Sequence, residues 1–124
     1  MMAESPISAD EFASLIEMIG ADAPEVVVDL LDTYLEESAG LIEMVVTAYA
    51  AGDMATMLRP AHSLKSSSAS VGAMRLSRLC ADLENHLRGQ MPDLDVAAQV
   101  AAVQAEFALV QAALQMEKEQ LLNT

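Results

Sequence analysis

Apolar residues in this chain recur at three- and four-residue spacing, and no segment alternates apolar with polar over a useful length. That period is the face of an α-helix, and such a face is buried only against other helices. The pattern predicts an all-α chain: an antiparallel four-helix bundle with a short additional N-terminal helix. Ser8-Ala9-Asp10-Glu11 reads as a capping box, followed by Phe12, Leu15, Ile16 and Ile19, with Gly20 as the stop. Asp22-Ala23-Pro24-Glu25 restarts the chain with a capping acid and a proline in the first turn. Apolar positions then run from Val27 to Tyr49, with a bend or break expected across Glu36 to Gly40 and a stop at Gly52.

Asp53 is placed to cap a third segment, in which Pro60 should bend or restart the helix and Gly72 should end it. Leu76, Leu79, Cys80, Leu83 and Leu87 share one face of the next helix, which closes near Gly89. Pro92 and Asp93 are expected to open the last helix, whose end from Gln115 to Thr124 reads as polar and frayed. The 124 residues suit one domain, with short tails at about 1–7 and 119–124.

Hydrophobic residues make up 53% of the chain with no Trp, so the core must be aliphatic. The net charge of −13 makes nucleic acid and anionic membrane surfaces unfavourable partners. The charge is uneven. Arg59 to Arg88 holds five bases against two acids, a net of +3, while the rest holds one base against seventeen acids, a net of −16. A locally basic face on an acidic body fits a small anionic target or an acidic patch on a partner protein. Cys80 is the single cysteine and reads as a buried structural thiol. No basic-then-apolar leader stands at the N-terminus, and no uninterrupted apolar run is long enough to span a bilayer, so a cytoplasmic location is expected.

His62 has the most informative position. A helix turns roughly 100° per residue, which puts Met57, Ala61, Leu64 and Ser68 in one arc at roughly 200–260° from His62. That arc is the core face, so the imidazole should stand at the bundle edge or in solvent. Leu58 and Arg59 lie one turn before it, Lys65 and Ser66 one turn after, and Ala69 two turns after. A neutral imidazole is nucleophilic near pH 7, and an ammonium on the same face offsets the charge of a phosphoryl group. The small Ser66 and Ala69 leave room for another protein to approach. His86, near a helix end, reads as a contact with the helix dipole.

The stretch Ala61-His62-Ser63-Leu64-Lys65-Ser66-Ser67-Ser68-Ala69, followed by Val71-Gly72-Ala73, resembles the signature of histidine-containing phosphotransfer domains. Leu76, Leu79-Cys80 and Leu83-Glu84 match the helix that follows the signature in that family, and Asp22 to Asp53 resembles the helices before it. The resemblance implies a phosphorelay protein that accepts a phosphoryl group from a receiver domain on His62 and passes it to the aspartate of another regulator. Lys65 would assist electrostatically, and Arg59, Ser66, Ala69, Arg75 and Arg78 are candidate docking residues. No bound cofactor is implied; Mg²⁺ would come with the receiver domain of a hybrid kinase or response regulator, and a monomer is expected. The family usually has glycine where Ser66 stands. The serine hydroxyl has two local options, a bond near the imidazole or one back to the His62 carbonyl.

A metal-binding bundle would use Glu-x-x-His, but Arg59 precedes His62 and Leu83 precedes His86 at that spacing, so no metal ligands are assigned. A helical adaptor that holds or inhibits a kinase or regulator without phosphotransfer is the alternative that sequence leaves standing.

Overall fold

The computed structural model describes residues 5–20 and 22–123. Five helices follow one another: α1 (Ala9–Ile19), α2 (Pro24–Ala50), α3 (Met54–Ser70), α4 (Met74–Leu87) and α5 (Val96–Leu122). Helices α2 to α5 form the bundle, each packed on its sequence neighbour, and α5 closes it against α2. The short α1 joins the side of α2. Val27, Leu31, Val45, Met57, Leu64, Leu76, Leu83, Val103, Val110 and Leu114 are among the buried aliphatic side chains of a single core. Phe12, Tyr34 and Phe107 add its few rings.

Caps explain most boundaries. Ser8 accepts from the Glu11 amide, Asp53 from the Thr56 amide and Asp95 from the Ala98 amide. The last of these moves the start of α5 past Pro92 and Asp93, because Asp95 is the residue whose carboxylate reaches an orphan amide. At α2 the sequence expectation fails in part: Pro24 opens the helix, but Ala23 is the cap residue and no side chain caps it.

Three expected interruptions do not occur. Helix α2 runs unbroken through Glu36 to Gly40, because Ser38 within this stretch and Leu35 and Ile42 on either side are buried and hold the helical path. Helix α3 continues through Pro60, whose ring is fully buried. Burial of the ring offsets the loss of one backbone donor. The C-terminal segment is helical to Leu122, because Lys118 pairs with Asp32 of α2 and is largely buried there. The described end of the expected N-terminal tail is also tied in. Ile7 belongs to the core, and the Ser8 amide donates to the Gly72 carbonyl at 2.8 Å. Residues 1–4, Ala21 and Thr124 lie outside the described residues.

Helix α5 is largely apolar, although Gln99, Gln104, Glu106 and Gln111 interrupt its apolar run. By length and composition it is apolar enough to cross a membrane. Its Val100, Val103, Phe107, Val110 and Leu114 are buried in the core of the bundle.

Gly72, at the α3–α4 turn, has φ of +85°. A Cβ there would also stand 3.2 Å from the Ser8 carbonyl and 3.3 Å from Glu11 Cβ and the Phe12 amide. The turn therefore docks directly onto α1. Gly72→Ala should lower stability by about 1–2 kcal/mol or more, from the left-handed conformation alone. Gly40→Ala should act oppositely, because nothing lies within 4 Å of the added Cβ. It should add about 0.5–1 kcal/mol through helix propensity. Thermal melts of both variants check the pair, and a Gly40→Ala protein that melts lower would contradict the open, unstrained site.

Candidate functional site

The core face of α3 is the arc that sequence rotation selects: Met57, Ala61, Leu64 and Ser68 are all fully buried. Ser68 completes that face by bonding to the buried Tyr34 hydroxyl at 2.8 Å. The opposite side of the helix carries His62, whose side chain is 55% exposed. Helix α4 lies alongside and is tied to the backbone of this stretch by a side chain. Ser77 donates from its hydroxyl to the Lys65 carbonyl at 2.8 Å.

From α4 comes the residue that organises the site. Glu84 is adjacent to the fully buried Leu83, and only 4% of its own side chain is exposed. An isolated carboxylate so deep would be strongly disfavoured. Three partners compensate. His62 Nδ1 lies 2.7 Å from Oε2, Lys65 Nζ lies 2.7 Å from Oε1, and Arg88 donates to Oε2 from a terminal nitrogen at 2.9 Å and from Nε at 3.1 Å. Burial alone would push the Glu84 pKa up. Hydrogen bonds from Lys65, Arg88 and His62, with the Lys65 charge, outweigh it and bring the carboxyl from its usual 4.5 down to about 2.

That carboxylate fixes the imidazole. An ionised carboxylate only accepts, so Nδ1 must carry the hydrogen. In the neutral ring Nε2 then keeps its lone pair. Since Nδ1 faces the buried acid, the exposed edge of the ring is the edge that carries Nε2.

The candidates from sequence fall in separate places. His62 and Lys65 meet on Glu84. Arg59 and Ser66 are exposed on the His62 side of α3, with Ala69 half-buried two turns on. Arg75 instead pairs with the buried Glu106 of α5, its Nε 3.2 Å from Oε1. Arg78 borders a recess with Ser5, Ile7, Ser8, Ala9 and Met74 beside α1. Neither arginine is joined to His62 by the contacts described, because the two border a common recess on a side of α4 turned away from Glu84. His86 stands in the last turn of α4, and its Nδ1 donates to the Met91 carbonyl at 2.6 Å across the α4–α5 turn. Cys80 is fully buried, and burial pushes its thiol up to about 12.

Sequence reasoning missed the roles of Glu84 and Arg88. The signal for one of them was present, since an acid and an arginine four apart on a helix form a pair. Nothing in spacing shows that the pair faces α3. A second feature also escaped notice. An apolar groove of about 250 Å³ runs between α2 and α3, lined by Leu30, Thr33 and Leu41 on one side and Ser63, Ser67 and Val71 on the other.

An exposed histidine held by a neighbouring bundle helix, one turn before a lysine, is the geometry that the family comparison meets. The Hpt domain family model matches residues 29–123. The chain belongs to the Hpt domain family. Its role is therefore histidine phosphotransfer in phosphorelays, where Hpt domains interact with receiver domains of kinases and response regulators. The fold is also similar to the crystal structure of histidine-containing phosphotransfer protein B (HptB) from Pseudomonas aeruginosa PAO1. That likeness has a TM-score of 0.81 at 27% identity and covers 95% of this chain and 98% of that one. No curated protein matches this Hpt domain.

Glu84 carries a pH signature. A carboxyl whose folded pKa is depressed contributes stability that is complete above its unfolded value and lost as pH falls through its folded value. The window here runs from about 4.5 down to about 2. Wild-type stability should fall with acid across that range, and Glu84→Gln should flatten this part of the curve. Denaturant melts between pH 5 and pH 2 measure it; equal slopes in the two proteins would refute the paired, ionised Glu84.

Proposed function

We propose that His62 is the phosphoryl acceptor of this Hpt domain. On this reading, Nε2 attacks the phosphorus of a receiver's aspartyl phosphate. The P–Nε2 bond forms, the P–O bond breaks, and its electron pair returns to the aspartate carboxylate. The ring gains a positive charge as it keeps its Nδ1 proton, and Glu84, 2.7 Å away, stabilises that charge. Transfer to a second receiver reverses these steps. The single observation that supports the reading is an exposed imidazole whose inner nitrogen is held by a buried, ionised carboxylate.

Lys65 is proposed to assist. Its ammonium neutralises Glu84 and is still 36% exposed, so it can also face the phosphoryl oxygens. Phosphoryl transfer depends mainly on positioning and charge neutralisation, and the receiver's acidic site supplies the Mg²⁺ for that chemistry. The protein itself is assigned no bound cofactor.

Docking is assigned to the surface around the ring. Arg59, Ser66 and Ala69 border it on α3, and the apolar α2–α3 groove adjoins it at Ser63. Arg75 and Arg78 would act only at the edge of a large interface. The reading takes the protein as a cytoplasmic monomer that shuttles between a hybrid kinase's receiver and a response regulator.

The experiment is transfer from a labelled phospho-receiver. Wild-type protein should take the label, while His62→Gln should take none and melt as a folded bundle. Lys65→Ala should transfer more slowly, by tenfold or so if one charge-assisted contact of about 1.4 kcal/mol is lost. Label on folded His62→Gln would defeat the assignment. A receiver that binds wild type and His62→Gln equally but labels neither would favour the adaptor alternative.

A further inference from the structure

One carboxylate oxygen serves two donors. Glu84 Oε2 accepts from His62 Nδ1 and from the Arg88 guanidinium, while Lys65 occupies Oε1. This sharing matters only if His62 carries phosphate, so the inference rests on the phosphotransfer reading above.

Once Nε2 is bonded to phosphorus, the ring has one titratable position, Nδ1. With Nδ1 protonated, the P–Nε2 bond can break with its electron pair returning to Nε2, and the leaving group is neutral imidazole. With Nδ1 deprotonated, the leaving group would be imidazolate, a much stronger base and a much poorer leaving group. The pH range of transfer therefore follows the proton on Nδ1. A carboxylate beside that proton retains it, and a cation on the same oxygen opposes retention.

We propose that Arg88 is a positioning residue that sets the pH range over which phosphorylated His62 gives up its phosphate, by competing with the Nδ1 hydrogen for Glu84 Oε2. Arg88 never touches the reacting atoms in this scheme. Its side chain is 48% exposed while it holds the buried Glu84 carboxylate. On α3 itself the other charged groups on the side of the ring are Arg59 and Lys65, and from α2 Glu37 lines the groove that also includes Ser63. Among these contacts only Arg88 shares an acceptor atom with Nδ1. Lys65 neutralises the same carboxylate but leaves Oε2 to the other two.

The test loads His62 without any receiver. The full chain, labelled with ¹⁵N at histidine, is treated with a small phosphoramidate, and ring ¹⁵N shifts follow Nδ1 protonation against pH. Relative to wild type, the midpoint should rise by roughly one pH unit in Arg88→Ala and fall by roughly one in Glu84→Gln. Arg88→Lys, which restores a cation, should return toward wild type. The rate of phosphate release from each variant should shift along the pH axis with the same sign. Arg88→Gln repeats the measurement with a near-isosteric neutral side chain should Arg88→Ala fail to fold. A phosphorylated, folded Arg88 variant with an unmoved or lowered midpoint would overturn the role of Arg88 while leaving phosphotransfer intact. Wild-type protein that takes no phosphate on His62 would overturn both.

Discussion

A buried carboxylate governs this site. Glu84 sits on the inner side of α4, where an uncompensated negative charge would be very costly. It is tolerated because α3 delivers His62 and Lys65, and α4 itself delivers Arg88. The arrangement therefore constrains the register of the two helices. A shift of one turn would separate Glu84 from His62 and Lys65 and leave the acid without most of its neutralisation. The Ser77–Lys65 backbone contact lies in the same seam and fixes the same register.

The rest of the bundle maintains that seam. Fully buried Met57, Pro60, Ala61 and Leu64 seat α3 on its core face, so His62 has nowhere to point but outward or toward α4. Gly72 lets the α3–α4 turn pass against α1, which covers that end of the core with Phe12 and Leu15. Both features belong to the motif that carries the family resemblance. Part of that motif is thus chemistry, and part is the geometry of a close turn.

The basic segment from Arg59 to Arg88 reads in sequence as one patch of positive charge, and folding divides it. Lys65 and Arg88 neutralise Glu84, Arg75 neutralises Glu106, and Arg78 faces the recess beside α1. Buried acids take much of the local excess. The field around His62 is therefore set by a short-range balance on one carboxylate more than by the net charge of the segment.

Sequence by itself determined the helical class, the four-helix bundle with its added N-terminal helix, and the outward phase of His62. These follow from a period of 3.6 residues, a property of the chain taken locally. The same local reasoning allowed a break at Pro60 and near Gly40 and fraying of the polar C-terminal end, none of which occurs, because a buried ring, flanking core residues and the Lys118–Asp32 pair are contacts between helices. Only the tertiary structure decided which nitrogen of His62 is held and which is left outward. That choice depends on Glu84, 22 residues away in sequence, and on the cations that keep it ionised. Periodicity assigns a side chain to a face; which groups meet across two faces is settled only when the helices pack.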